Sequence, residues 1–199
     1  MTSPVHEPRK KPWAGIIVGG GLLLMMVCLC LSMVLPTFVL PRFNNRARAS
    51  EAKSNLKAAF VAEKSYFVEK DVYSETVEKM GFAPERRNRY LYLVSTTGDL
   101  LVQGAPDGGE HAGVFADEVG TSPKPDNRLI LSSIPSTLLG EVGVKCEADG
   151  GCDVTVVAAG NIDSDATIDV WSISTKERII AGETVTPGMP FNHVNDVEK

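Results

Sequence analysis

The sequence predicts an α+β fold in which one long amino-terminal helix, membrane-spanning in its first part and amphipathic in its second, lies against an antiparallel β-sheet. Three observations carry that expectation. Ala14 to Leu40 contains no charged side chain. Ala49, Ala52, Leu56, Ala59, Phe60 and Phe67 recur at spacings of three and four, the signature of an apolar helix stripe. Beyond Lys70 the texture changes to short apolar runs broken by glycine, proline and aspartate.

The charge-free run has 27 residues, and a helix of that length is about 40 Å long, more than the ~30 Å hydrocarbon core of a bilayer. It therefore predicts a transmembrane helix over 14–40, preceded by a short cytoplasmic segment, 1–13. The run from Gly21 to Leu35 is too long for a secretory signal peptide and has no small-x-small cleavage site before Pro36, so the anchor is expected to stay uncleaved. Gly15 and Gly19 form a G-x-x-x-G pair, a candidate surface for close helix packing. Arg9, Lys10 and Lys11 on one side of the apolar run balance Arg42, Arg46 and Arg48 on the other, so loop charge alone leaves orientation open. Cysteine usage resolves it towards a periplasmic domain, as follows.

Cys28 and Cys30 lie two apart in the apolar run, on differing helix faces, and cannot bridge each other. Cys146 and Cys152 flank Glu-Ala-Asp-Gly-Gly, a turn that brings them together. In an oxidising compartment that predicts a disulfide. Zinc would need C-x-x-C spacing and further ligands, and His6, His111 and His193 are scattered.

Residues 42–70 continue as an amphipathic helix whose Leu56, Phe60 and Phe67 are expected to pack on the sheet; its basic face could rest on anionic headgroups. The globular domain is expected over 71–199. Tyr90–Val94 and Leu100–Val102 read as a hairpin, Leu129–Leu131 as a strand, and Val142–Glu147 with Asp153–Ala159 as a second hairpin. Ile168–Ile173 and Arg178–Ile180 complete the antiparallel set, and 103–128 forms a long polar loop. Asn161, Asp163, Asp165, Thr167 and Asp169 place oxygen ligands at every second position. Asp163, Asp165 and Asp169 are thus candidate calcium ligands, the competing reading being a polar turn whose carboxylates cap backbone amides.

The whole chain carries a net charge of −5, and the part beyond residue 41 is more acidic still, which excludes a nucleic-acid binder that works through a clustered basic surface. No nucleophile elbow, zincin, phosphate-loop or dinucleotide motif occurs, so no catalytic residue is assigned and no enzyme is expected.

The apolar helix ending in Pro41-Arg-Phe43, the run Ala47-Arg-Ala-Ser-Glu-Ala-Lys-Ser-Asn-Leu-Lys-Ala58, and Ala62-Glu-Lys-Ser-Tyr-Phe67 resemble a type IV pilin. Tyr73-Ser74, Gly81-Phe-Ala-Pro84, Arg89-Tyr-Leu-Tyr92 and Gly160–Trp171 continue the likeness. The resemblance implies a bent amino-terminal helix on an antiparallel sheet, export across the inner membrane, and a structural or assembly role in a pilus or a type II secretion-like machine. The implied partners are the membrane and other pilin-like subunits. The alternative is an anchored extracytoplasmic binding module whose 103–128 loop contacts a ligand.

The amino-terminal part departs from the family pattern, since Gly19-Gly-Gly21 is followed by Leu22-Leu-Leu-Met-Met-Val27, with neither the aromatic nor the glutamate that the family places there. A carboxylate in hydrocarbon is costly and is relieved by a neighbouring subunit's amino terminus, which sets register. Its absence predicts weak copolymerisation, and an anchored accessory protein rather than a major filament subunit.

Overall fold

The computed structural model describes residues 13–104, 108–119, 121, 124–148, 150–163 and 165–196, with the side chains of 13–20, 22, 31 and 33–42 outside that description. Two units are distinguished, Met1–Phe43 and Asn44–Lys199. In the first the backbone is helical from Trp13, and Leu23, Leu24, Met25, Met26, Val27 and Leu29 are exposed. Cys28 and Cys30 are exposed free thiols. Among the described residues no helix is long and apolar enough to cross a membrane. The expected cytoplasmic segment falls almost wholly outside the described residues, and much of the expected span, with the surroundings of Gly15 and Gly19, lies outside those whose side chains are described.

The second unit is built on the last part of α1 (Trp13–Lys70) and a seven-stranded sheet. The strands form where β-branched and aromatic residues cluster: β1 (Tyr90–Leu93), β5 (Cys152–Gly160) and β6 (Asp169–Ser174) occupy the centre. β1 and β6 are buried throughout, as is β5 from Val154 onward, so the centre of the sheet is covered on both faces and encloses polar side chains, Thr155, Asp169, Ser172 and Ser174, among the apolar ones. One face meets α1 through Tyr90, Tyr92, Val156, Ala158 and Ile173. The other is covered by a second cluster containing Leu91, Leu93, Val157, Ala159 and Val170 with Ile130, Ile134 and Leu138.

β1, β5, β6 and β9 (Phe191–Val194) pair antiparallel in that order, and β4 (Gly143–Cys146) pairs with β5. Two strand pairings and one strand assignment made from sequence are corrected. The expected hairpin between Tyr90–Val94 and Leu100–Val102 does not form, because β3 (Gly113–Val114), from the expected loop, inserts beside β1 and pairs parallel with β2 (Leu100–Leu101). The close approach needs Gly113, where a Cβ would lie 2.1 Å from the Tyr92 carbonyl oxygen. Leu129–Leu131 belongs to helix α3 (Asn127–Ser133), whose first free amides, of Arg128 and Leu129, are capped by the Asp126 carboxylate. Arg178–Ile180 is β7, which leaves the main sheet to pair with β8 (Glu183–Val185), and β9 takes the place beside β6. Two short helices, α2 (Val77–Met80) and α4 (Ser136–Leu139), complete the unit.

Candidate functional site

Within residues 44–199 the helix is fixed to the sheet by small residues. Ala49, Ala52 and Ala59 bring the α1 backbone close to the strands, and the wholly buried Leu56 fills the space between them. Polar contacts set the rotation: Asn55 donates to the Tyr92 hydroxyl at 2.8 Å, the Arg89 amide donates to Glu51 Oε1 at 2.8 Å, and Arg48 donates to the Ile162 carbonyl. The Lys53 ammonium lies 4.7 Å from the centre of a Trp171 ring. Phe60 is half-buried against Gly188, and Phe67 stacks on Tyr73 with centroids 4.5 Å apart. Val61 and Val68 remain exposed on the helix.

Glu63 is the residue of this face that pattern reading missed. It falls seven positions after Leu56, on the apolar stripe, and is wholly buried. Its Oε2 accepts the Ser74 amide at 3.0 Å, whereas Oε1 has no hydrogen-bond partner. Burial pushes its carboxyl up to about 7, against the lowering effect of the Ser74 bond. A charged residue on an otherwise apolar stripe was the available signal.

At the far edge, Cys146 and Cys152 face each other across the β4–β5 hairpin and are joined, with Cα atoms 4.0 Å apart. The turn between them closes through the Glu147 amide on the Gly151 carbonyl at 2.7 Å, and Gly150 takes a left-handed φ of 91°. So short a closed loop contributes about 2 kcal/mol by restricting the unfolded chain. Cys146→Ser is expected to lower the melting temperature by several degrees while leaving a folded domain. Thiol labelling of the denatured, non-reduced wild type should find Cys28 and Cys30 reactive and the other two blocked.

The loop entering β6 is a chain of aspartate and asparagine turns. Asn161 Oδ1 accepts the Asp163 amide at 3.2 Å, Asp163 Oδ1 the Asp165 amide at 2.8 Å, and Asp165 Oδ1 the Thr167 amide at 2.6 Å. Asp163 and Asp165 come together, but the third carboxylate is Asp196 rather than Asp169: ligand oxygens of Asp163, Asp165 and Asp196 all lie within 4.8 Å of one another.

Asp169 is wholly buried and already saturated. It accepts from the Tyr90 hydroxyl at 2.6 Å, the Trp171 indole, Asn192 Nδ2 at 3.0 Å and, more distantly, the Asp196 amide. Strand register delivers Asp196: Val194 of β9 sits opposite Val170 of β6, so the antiparallel chain two residues on reaches the loop preceding β6. Burial, then the charges of Asp163 and Asp165, push the Asp196 carboxyl up to about 7.

The Ser172 hydroxyl and the His193 ring meet at 2.7 Å in a part-buried contact between β6 and β9. Arg178 donates to the same hydroxyl at 2.9 Å and Ser172 is wholly enclosed. Burial, then the Arg178 charge, lower the imidazole to about 4, so it serves as a neutral acceptor.

A helix laid through small residues on a largely antiparallel sheet matches the helix-on-sheet architecture that the resemblance implied. The family model described as "Type IV pilin PilA" matches residues 43–103. The chain is also similar to the "Type IV major pilin protein PilA" of Myxococcus xanthus (strain DK1622), with 35% identity in an alignment 191 positions long that covers 83% of this chain and 84% of that protein. With the fold and this extent of identity together, the chain belongs to the type IV pilin family, whose members are structural components of pili.

Proposed function

We propose that this type IV pilin is anchored in the inner membrane by the 14–40 segment, holds its 44–199 domain in the periplasm, and enters a pilus beside other pilin subunits as an accessory component. The observation that carries the reading is the pairing of a pilin domain with a charge-free segment long enough to span a bilayer yet lacking any carboxylate to neutralise a neighbour's amino terminus. The basic residues Arg46 and Arg48 suit a membrane-proximal position next to anionic headgroups. The Cys146–Cys152 bridge suits an oxidising compartment.

A second reading, a main filament subunit, is favoured by the likeness to the major pilin of Myxococcus xanthus. Fractionation of cells followed by shearing of pili separates the two. The accessory role predicts most of the protein with the inner membrane and a trace in sheared filaments. Recovery as the dominant filament protein would establish the second reading instead, and recovery only in the soluble fraction would overturn both.

A further inference from the structure

Asp196 is 1% exposed, and neither of its carboxylate oxygens makes a well-formed hydrogen bond, the Ile162 amide being the one backbone donor that acts on it. Two loop carboxylates, Asp163 and Asp165, face it, all three within 4.8 Å. A buried carboxylate with so little donation is costly, and two further like charges at that distance add repulsion rather than relief. A divalent cation removes both costs at once.

We propose that Asp163, Asp165 and Asp196 form a calcium site that clasps the chain following β9 to the loop entering β6. Calcium takes oxygen ligands at 2.3–2.6 Å in flexible geometry, so ligands on opposite sides of one ion stand up to about 5 Å apart, which suits the observed spread. Magnesium demands shorter bonds in a near-ideal octahedron and gives up its waters reluctantly, which fits a loop of this kind less well. The turn bonds at 161–167 occupy Oδ1 of Asp163 and of Asp165 with backbone amides, which holds both side chains in place while the second oxygen of each stays available. Asp169, saturated by its own donors, stands behind the site and holds the Asp196 backbone.

The test uses the full-length protein in detergent, with CaCl2 titrated by calorimetry after chelation, and thermal melting in calcium and in chelator. Calcium about a hundredfold above its dissociation constant is expected to raise the melting temperature by several degrees. MgCl2 should bind at least tenfold more weakly. Asp196→Asn should abolish the calcium heat and the calcium-dependent shift, yet melt in chelator at or above the wild-type temperature, because a buried charge has been removed. Asp163→Asn combined with Asp165→Asn should lose the same response from the loop side, and Glu183→Gln, exposed on β8, should retain it. Identical wild-type melting in calcium and chelator, equal affinity for magnesium, or undiminished calcium affinity in the Asp196→Asn and the paired loop variants would overturn the site.

Discussion

Replacing Leu56 by alanine is expected to destabilise the 44–199 domain by about 3 kcal/mol, because truncating a buried leucine loses its transfer free energy and leaves a cavity that its surroundings fill only in part. Leu56 is the largest aliphatic side chain that α1 sends into the core. Its buried apolar neighbours on the helix are alanines, which have no spare length to fill a gap, and the same core cluster holds the bulky rings of Tyr90, Tyr92 and Trp171, which cannot lengthen to fill it either. Collapse around the missing methyls is therefore limited. For a domain of this size the loss corresponds to a drop of roughly 10 °C in melting temperature. Lys57→Ala, one position on and exposed, should stay within about 0.5 kcal/mol of wild type. Equal melting of Leu56→Ala and Lys57→Ala would show that the helix does not rely on this contact.

Glu63→Gln is expected to stabilise the protein at alkaline pH and to leave it unchanged in acid. The Glu63 carboxyl sits at about 7 in the folded state against an ordinary 4.5, so the folded chain holds this proton more tightly than the unfolded one. Its ionisation penalty is absent below pH 4.5, grows as pH rises through the window to 7, and is complete above it. At 1.36 kcal/mol per unit the penalty amounts to at most about 3 kcal/mol.

Glutamine keeps an acceptor for the Ser74 amide and never ionises, so its advantage should open across the same window. Asp196, raised to about 7 from 3.8, contributes a fall of the same sign in chelator, which Glu63→Gln leaves in place. Melting curves of both proteins between pH 4 and 8 test the sign. A pH-independent difference between them would mean that Glu63 titrates in the fold as it does in the unfolded chain, without the upward shift.

Several features of this protein are encoded within a few residues of themselves. The alanine-rich repeat at three and four predicts a helix with one apolar face, because that spacing aligns side chains on a 3.6-residue turn, and Ala49, Ala52, Leu56 and Ala59 are the buried apolar residues described for that helix in the 44–199 unit, joined on the same face by Glu63. The Gly150-Gly151 turn returns the chain on itself, so the Cys146–Cys152 bridge was legible from six residues of separation. The run from Ala47 to Phe67 also carried the family likeness.

The local signals fail where two local structures are equally compatible with the same letters. Leu129-Ile-Leu131 is apolar enough for a strand, but the Asp126 cap just upstream decides for helix. The sheet order lies beyond local pattern altogether. β3 displaces the expected β1–β2 hairpin because Gly113 alone admits the Tyr92 carbonyl so closely, a requirement that no neighbouring residue announces.

The acidic site shows the same division. Alternating carboxylates at 163 and 165 are visible in the sequence, and Asp169 continues their period, yet the start of β6 turns that side chain into the core where Tyr90, Trp171 and Asn192 bind it. Asp196 takes its place because β9 returns antiparallel beside β6, and register, once fixed by burial of one set of side chains, determines which distant residues meet.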